Sequence, residues 1–453
     1  MKINPLIFRA YDVRGIYERD LNEEVFQKIG FVLGKKKKKF VVGNDIRKSG
    51  EKLARALIKG LMSGRSKVIY TGTTSFGETS FAGRKLKAFA SLFITASHLP
   101  PEWNGLKFYF GNGVSFLEKD IMPIRDKVMK LDDREMKPIN RIRFKKISVR
   151  KAYSNFILDK FSTIKNNKLK VVLDCKNGSM SLVAPKIFKK IGFKVFQINC
   201  SPDPNFKNEN PEPTYESTKE LRREVLKKKA DLGVAFDGDG DRTVIIDDKI
   251  RYLSGNQIGA IIGKYILKNS KNKKIVMSVA SSATAEEEFK KLGARVIRIP
   301  VGHSYLTFNC KKYNVCFGME ESGHIVMPQY FWFDDALPVP LKIAEIILKE
   351  KKKLSELVNE IKIYPFEEIV FDCPDEVKFG VVENLAKEFK KEYKKVSTID
   401  GVKVNFDDSW ILIRASNTSP KIRLYIEAKN ERKLKFLKDK FSKILKLCIR
   451  QLS

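Results

Sequence analysis

The sequence predicts an α/β protein of three similar mixed-sheet domains followed by a smaller C-terminal α+β domain. Three stretches carry this reading: "KFVVGNDIRKSGEKLARALIKGLMSGRSKVIYTG" (39–72), "LKVVLDCKNGSMSLVAPKIFKKIGFKVFQINC" (169–200) and "KKIVMSVASSATAEEEFKKLGARVIRIPVG" (273–302). Each opens on a β-branched apolar run, passes through a short loop into an amphipathic helical pattern, and ends after glycine in a second apolar run. A strand and its crossover helix bury each other's apolar faces, so the repeat implies parallel neighbouring strands. Length agrees: 453 residues exceed what one core organises, and domains run to roughly 100–200 residues each.

Taken in order, the first unit falls in residues 1–150, the second in 151–249 and the third in 250–360. From Ile361 the pattern changes to a strand-like "IKIYPFEEIVFDCP", a helical "DEVKFGVVENLAKEFKKEY", two apolar strands in "SWILIRASNTSPKIRLYIEAK" and a last amphipathic helix ending near Leu447. Strands joined by a polar loop and flanked by helices make residues 361–453 an α+β domain.

A hydrophobic share of 43% with 31% charged residues is globular rather than disordered. The net charge of +34, from 88 basic against 54 acidic residues, attracts anions, whether nucleic acid or phosphorylated metabolites. The lysines come in short runs such as "GKKKKKF" and "KEKKKL" at turns and helix ends, which is the pattern of solvated faces. The six cysteines form no CxxC pair, so neither a zinc motif nor a disulfide framework is expected. The start "MKINPLIFRAYD" has no apolar leader-like segment, and no apolar run reaches the ~18 residues of a membrane span. A reducing cytoplasmic setting with no membrane partner is the expectation.

The strongest local signal is "DLGVAFDGDGDRTVIID" (231–247). Asp237, Asp239 and Asp241 alternate with glycines, so a tight loop brings three carboxylates round one hard cation such as Mg²⁺. A plain acidic turn would leave them repelling one another. Against an EF-hand, Arg242 stands where glycine is required and apolar β-type runs flank the loop. In "CFGMEESGHIV" (316–326), Glu320, Ser322 and His324 suit hydrogen bonds to sugar hydroxyls, although a helix-capping loop would read alike. In "IRASNTSPKIR" (413–423), Arg414, Ser416, Asn417, Thr418 and Arg423 have the donors a phosphate needs, or form a hairpin turn.

The chain has three histidines, His98, His303 and His324. All follow apolar strand-like runs, and ligands of open α/β sheets bind at strand ends. Ser97, in "ITASHLPPEWNG", is on this evidence a reactive group, a helix cap or a turn residue.

In order along the chain, "FRAYDVRG" (8–15), "TASHLPPEWNGLK" (95–107), "DGDGDR" (237–242), "GMEESGH" (318–324) and "RASNTSPKIR" (414–423) resemble the α-D-phosphohexomutase family. The resemblance implies four domains round a central active-site cleft. It also implies a phosphoserine at Ser97 that gives its phosphoryl group to a hexose phosphate and is restored from a bisphosphorylated sugar. Mg²⁺ would be held by Asp237, Asp239 and Asp241 with the group on Ser97, and Arg242 would stand nearby. His98 and Lys107 would flank the phosphoserine, with Arg14 and His324 as further candidates for proton transfer or charge stabilisation. Glu320 and Ser322 would hold sugar hydroxyls, His303 would line the substrate site, and Arg414, Ser416, Asn417, Thr418 and Arg423 would grip the other phosphate. A hexose 1,6-bisphosphate would act as activator.

"ASNTSP" and "VGHS" are more similar to the phosphomannomutase/phosphoglucomutase branch than to phosphoglucosamine mutases, so a phosphosugar of mannose, glucose or both is the expected substrate. Leu99, Trp103 and Met319 depart from the family pattern beside functional positions without replacing any. The rivals are a phosphoglucosamine mutase, a Mg²⁺-dependent sugar phosphatase and, with no recognition motif in its favour, a basic nucleic-acid-binding protein. Monomer and homodimer are equally compatible with the sequence.

Overall fold

The computed structural model describes residues 3–136, 144–208, 210–417 and 419–452. In each predicted repeat the two apolar runs form parallel strands: Lys39–Asn44 beside Lys67–Thr73, Lys170–Asp174 beside Lys194–Ile198, and Lys274–Ser278 beside Arg295–Ile299. The connecting helices are Gly50–Ser63, Ala184–Ile191 and Ala283–Lys291. Gly192, at φ +115°, ends the second, in the left-handed conformation that glycine supplies at a helix C-terminus.

The three sheets share one further step. The first strand of each repeat also pairs in parallel with a strand on its other side, namely Ala90–Ile94, Leu232–Phe236 and Phe317–Met319. Each of these is followed by an antiparallel neighbour: Trp103–Phe110, Thr243–Asp247 and Ile325–Val326. The serine, aspartate and Glu320 loops are therefore the same turn of the same topology, used three times. The sheets hold six, five and four strands, all of mixed direction.

The C-terminal domain is an antiparallel five-stranded sheet in the order Phe366–Asp372, Lys421–Ala428, Ser409–Ala415, Val402–Asn405, Val396–Ser397, covered by helices Lys378–Glu392 and Glu431–Leu452. Its last helix runs past the expected end at Leu447 to Leu452, with Cys448 and Ile449 packed on the domain core. No helix among the described residues is long and apolar enough to cross a membrane. None of the six cysteines is in a disulfide; three are buried and three half-buried.

One apolar cluster runs through the first three domains. Phe76, Phe81, Phe93 and Tyr109 belong to it together with Tyr153, Phe161 and Phe236, and with Phe317, Phe331 and Phe333. The C-terminal domain has its own core and meets the third through a small patch around Val279, Val301, Trp410 and Tyr425. Polar contacts hold this joint: Glu427 accepts the Ala283 N–H at 2.7 Å and the Trp410 indole N–H, while Lys403 Nζ donates to the Val279 carbonyl at 2.7 Å. A carboxylate at the start of a helix satisfies its orphan N–H groups and complements its dipole.

Asp335 ties the first three domains together. Gly77 approaches it so closely that a Cβ there would fall 2.5 Å from its carboxylate, and it accepts the Tyr153 hydroxyl at 2.6 Å and the Leu337 N–H at 3.1 Å. Burial pushes its pKa from 3.8 up to about 7. With a folded value above the unfolded one, the unfolded chain ionises first as pH rises, so this group's contribution is greatest below about pH 4 and falls until about pH 7. The change is about 4 kcal/mol at full shift. Asp335→Asn removes that dependence. The melting-temperature difference, variant minus wild type, is expected to rise between pH 4 and 7 and then level off; a difference independent of pH would refute the assignment.

Candidate active site

Ser97 sits in the turn after strand Ala90–Ile94 with φ +52°, a left-handed conformation that costs a non-glycine residue roughly 1–2 kcal/mol. Two groups hold it there. Thr95 Oγ1 accepts the Ser97 N–H at 2.8 Å, and the Arg47 guanidinium donates to the carbonyls of Ser97 (2.9 Å), Leu99 (2.7 Å), Trp103 (3.0 Å) and Pro100. Arg47 is itself buried, paired with Asp45 at 3.1 Å and seated over the Phe206 ring at 4.9 Å.

The serine hydroxyl donates to Asp237 Oδ2 at 2.8 Å. The other oxygen of Asp237 accepts three N–H groups of its own loop, from Gly240 (3.0 Å), Asp241 (3.2 Å) and Arg242 (3.2 Å). Gly240 adopts φ +84°, and a Cβ on Gly238 would lie 2.5 Å from the Ser97 carbonyl. The glycines thus serve both the tight turn and the contact with the serine loop.

Ligand atoms of Asp237, Asp239 and Asp241 lie within 4.8 Å of one another. Lys107 Nζ reaches Asp239 at 2.8 Å and also contacts Asp241. Burial alone would lower the pKa of Lys107, but these two carboxylates hold it above its ordinary value. Burial, then the charge of Asp239, pushes Asp241 well above the usual carboxylate range. The Oδ1 atoms of Asp239 and Asp241 are buried without a hydrogen-bond partner. An all-oxygen cluster with orphaned carboxylate oxygens and too little compensating charge fits a hard divalent cation such as Mg²⁺.

The remaining candidates surround this centre. Arg242 Nε lies 3.3 Å from Asp237, and Arg14 Nε pairs with Asp12 at 2.7 Å. His98 Nδ1 is buried without a partner, and burial followed by the charges of Arg242, Arg14, Arg423 and Lys107 holds its pKa well below 6.5. His303 opens the helix His303–Lys312 rather than lying in a loop. Burial lowers the pKa of His303 and of His324. Glu320 accepts the Gly302 N–H at 2.7 Å and the Ser322 hydroxyl at 3.2 Å, in a hairpin turn and not a helix-capping loop.

The loop at 413–423 is also a hairpin connection. Arg414 Nε pairs with Asp400 at 2.8 Å and Arg423 contacts Glu368. Asp400 in turn accepts the Val301 N–H at 2.9 Å, which links this loop to the third domain. Ser416 is buried and Asn417 half-buried; Thr418 lies outside the described residues. Lys378, which no sequence pattern singled out, donates to the Ser416 and Ser419 carbonyls at 2.6 and 3.0 Å beneath the loop. Its partner Asp375 also pairs with Arg9 of the first domain at 2.8 Å.

One hydroxyl, a carboxylate cluster suited to a cation, and Lys107, Arg242 and Arg14 are thus gathered in one place. With a cation bound, such a set of groups can neutralise the charge of a transferring phosphoryl group.

Comparison with known proteins gives the same order of parts. The family models for phosphoglucomutase/phosphomannomutase alpha/beta/alpha domains I, II and III match residues 5–135, 151–251 and 254–364, and the C-terminal domain model matches 368–444. A phosphoglucomutase/phosphomannomutase of Thermococcus kodakarensis is 35% identical over 94% of this chain and 95% of its own. A phosphoglucosamine mutase of Methanococcus vannielii is 32% identical over 93% and 95%. A crystal structure of a phosphoglucomutase/phosphomannomutase family protein from Burkholderia thailandensis superposes with a TM-score of 0.87 at 25% identity, covering 98% of each chain. The chain belongs to the phosphoglucomutase/phosphomannomutase family, the α-D-phosphohexomutases, isomerases that act by phosphoryl transfer.

Proposed function

We propose that this phosphohexomutase interconverts the 1- and 6-phosphates of mannose and glucose through a phosphoserine at Ser97 and a bisphosphorylated sugar. The observation that carries the reading is the Ser97 hydroxyl, 2.8 Å from Asp237 inside a three-aspartate cluster with orphaned oxygens. A sugar hydroxyl attacks the phosphorus; the Oγ–P bond breaks as the new O–P bond forms, and the hydroxyl proton passes to a nearby base. Asp237, Asp239, Asp241 and the group on Ser97 would hold Mg²⁺, which supplies Lewis-acid stabilisation of the phosphoryl oxygens when bound.

Lys107, Arg242 and Arg14 add fixed positive charge where charge develops. His98, kept neutral by burial and then by its cationic neighbours, adds no charge of its own, and His324 is the candidate base. Glu320 and Ser322 hold sugar hydroxyls, His303 lines the pocket, and Arg414, Ser416, Asn417, Thr418 and Arg423 grip the non-reacting phosphate. That phosphate must compete with Asp400 and Glu368 for the two arginines, so ligand exchange at the C-terminal domain accompanies binding. The bisphosphate turns over in the cleft, and a hexose 1,6-bisphosphate primes the serine.

Contacts through two sugar hydroxyls leave C2 unread, so glucose and mannose are both accepted. A glucosamine phosphate is the second reading, favoured by relatives named as phosphoglucosamine mutases at 30–32% identity. Mannose 1-phosphate, glucose 1-phosphate and glucosamine 1-phosphate are each incubated with enzyme, Mg²⁺ and a trace of glucose 1,6-bisphosphate. Formation of 6-phosphate without free phosphate is expected for mannose and glucose. Isomerisation of none of the three overturns the mutase reading, and steady phosphate release favours a phosphatase. Chelation is expected to lower turnover by at least about a hundredfold, restored by Mg²⁺; full activity in chelator would remove the metal from the reaction.

A further inference from the structure

Beside the aspartate cluster, four side chains from separate segments meet. They are Tyr109 on the strand after the serine loop, His303, His324, and Asp334 in the segment before helix Pro338–Glu350. Nδ1 of His324 lies 2.6 Å from Oδ2 of Asp334, a close contact without hydrogen-bond alignment, and neither buried atom makes a hydrogen bond to any other group. The Tyr109 hydroxyl donates to the other oxygen of Asp334 at 3.2 Å and lies 2.6 Å from Nδ1 of His303. Asp334 is wholly buried. Ligand atoms of Asp241, His324 and Asp334 lie within 4.8 Å of one another, so this group borders the proposed cation site.

The contacts, with hydrogen counting, assign the tautomers. A carboxylate only accepts, so the hydrogen between Asp334 and His324 belongs to Nδ1. The Tyr109 hydroxyl has one hydrogen; once donated to Asp334, its oxygen accepts from His303, whose hydrogen is therefore also on Nδ1. Both rings are left with Nε2 as a free acceptor, and in His303 that atom is buried without a partner. The ring centroids are 5.5 Å apart, close enough to serve one ligand.

We propose that Asp334 is the positioning residue of this histidine pair, holding His324 directly and His303 through Tyr109, so that two Nε2 acceptors face the hydroxyls of the bound sugar phosphate. What the acceptors meet rests on the mutase reading; the tautomers do not. An aspartate that fixes an imidazole tautomer acts on turnover more than on binding. Tyr109 makes the arrangement a relay, because one carboxylate sets two rings.

With three histidines in the chain, long-range ¹H–¹⁵N spectra of the wild type resolve each ring. Nδ1–H tautomers are expected for His303 and His324. In Asp334→Asn the side-chain amide donates to Nδ1 and moves the His324 hydrogen to Nε2; kcat falls roughly 10²–10⁴-fold while KM stays within about threefold. Tyr109→Phe moves only the His303 signals and lowers kcat about tenfold. An Nε2–H tautomer at His324 in the wild type, or wild-type kcat in folded Asp334→Asn, overturns the proposal. If Asp334→Asn does not fold, the wild-type and Tyr109→Phe spectra decide. A wild type that isomerises no hexose phosphate defeats the mutase reading instead, and the tautomers are still read.

Discussion

Ser97→Ala is expected to lower the turnover of hexose phosphate isomerisation by at least about 10³-fold, because in the proposed mechanism Ser97 is the covalent phosphoryl carrier and its loss removes the pathway and not one contact within it. A neighbouring hydroxyl, that of Thr95, is bound to Asp45 at 2.7 Å, to Asp239 at 3.0 Å and to the Ser97 N–H. It has no freedom to replace the serine. The fold should barely notice: one hydrogen bond is worth about 0.5–1.5 kcal/mol, and Asp237 keeps its three loop N–H groups and Arg242. Turnover and thermal melting of the same preparation check both halves. Near-normal turnover would take the phosphoryl away from Ser97, and a collapsed fold would make the activity loss uninformative about chemistry.

Arg47→Met is expected to cost about 3–5 kcal/mol of stability, the penalty for leaving a buried partner charge uncompensated, here Asp45. It also strips the donor from four carbonyls of the serine loop. Arg47→Lys should rescue little, since one ammonium cannot reproduce a planar fork serving Asp45 and four carbonyls at once. With the loop released, Ser97 leaves its left-handed conformation, and turnover falls at least about a hundredfold. Denaturant titration measures the first effect, and amide exchange over residues 96–104 reports the loop. An Arg47→Lys protein with wild-type stability and turnover would show that the fork does not organise the serine.

Arg47 shows where the sequence stops being legible. It stands in "GNDIRKSG", directly after a strand, and the strand-end rule that drew notice to the three histidines applied to it equally. Among 88 basic residues, one more arginine carried no signal. Lys107 is the opposite case: a buried lysine inside a strand makes no local sense, and its partners Asp239 and Asp241 lie more than a hundred residues away. Only its place in a family motif, not spacing, could single it out. Asp334 and Tyr109 hid in the aromatic stretches "YFWFDDAL" and "KFYF", which read as core and largely are.

The repeated strands were legible because β-branched runs end at glycine or a polar loop, and those signals are local. Short edge strands such as Lys145–Lys146 and Val396–Ser397, exposed or half-buried, have no such pattern. The hairpin nature of the Glu320 turn depended on pairing with Ile325–Val326, two residues too few for a period to be read. The pair Arg9 and Asp375, 366 residues apart, is a product of the fold alone.

The apolar cluster shared by the first three domains also bears on synthesis. Phe76, Phe81, Phe93 and Tyr109 leave the ribosome before any of their partners from Tyr153 to Val358 exist. At translation rates of about 5–20 residues per second, the roughly 250 residues still to come take about 10–50 s. For that interval the aromatic side chains of the nascent first domain lack the later segments that bury them in the finished fold. The C-terminal domain, with a core of its own, carries no such debt.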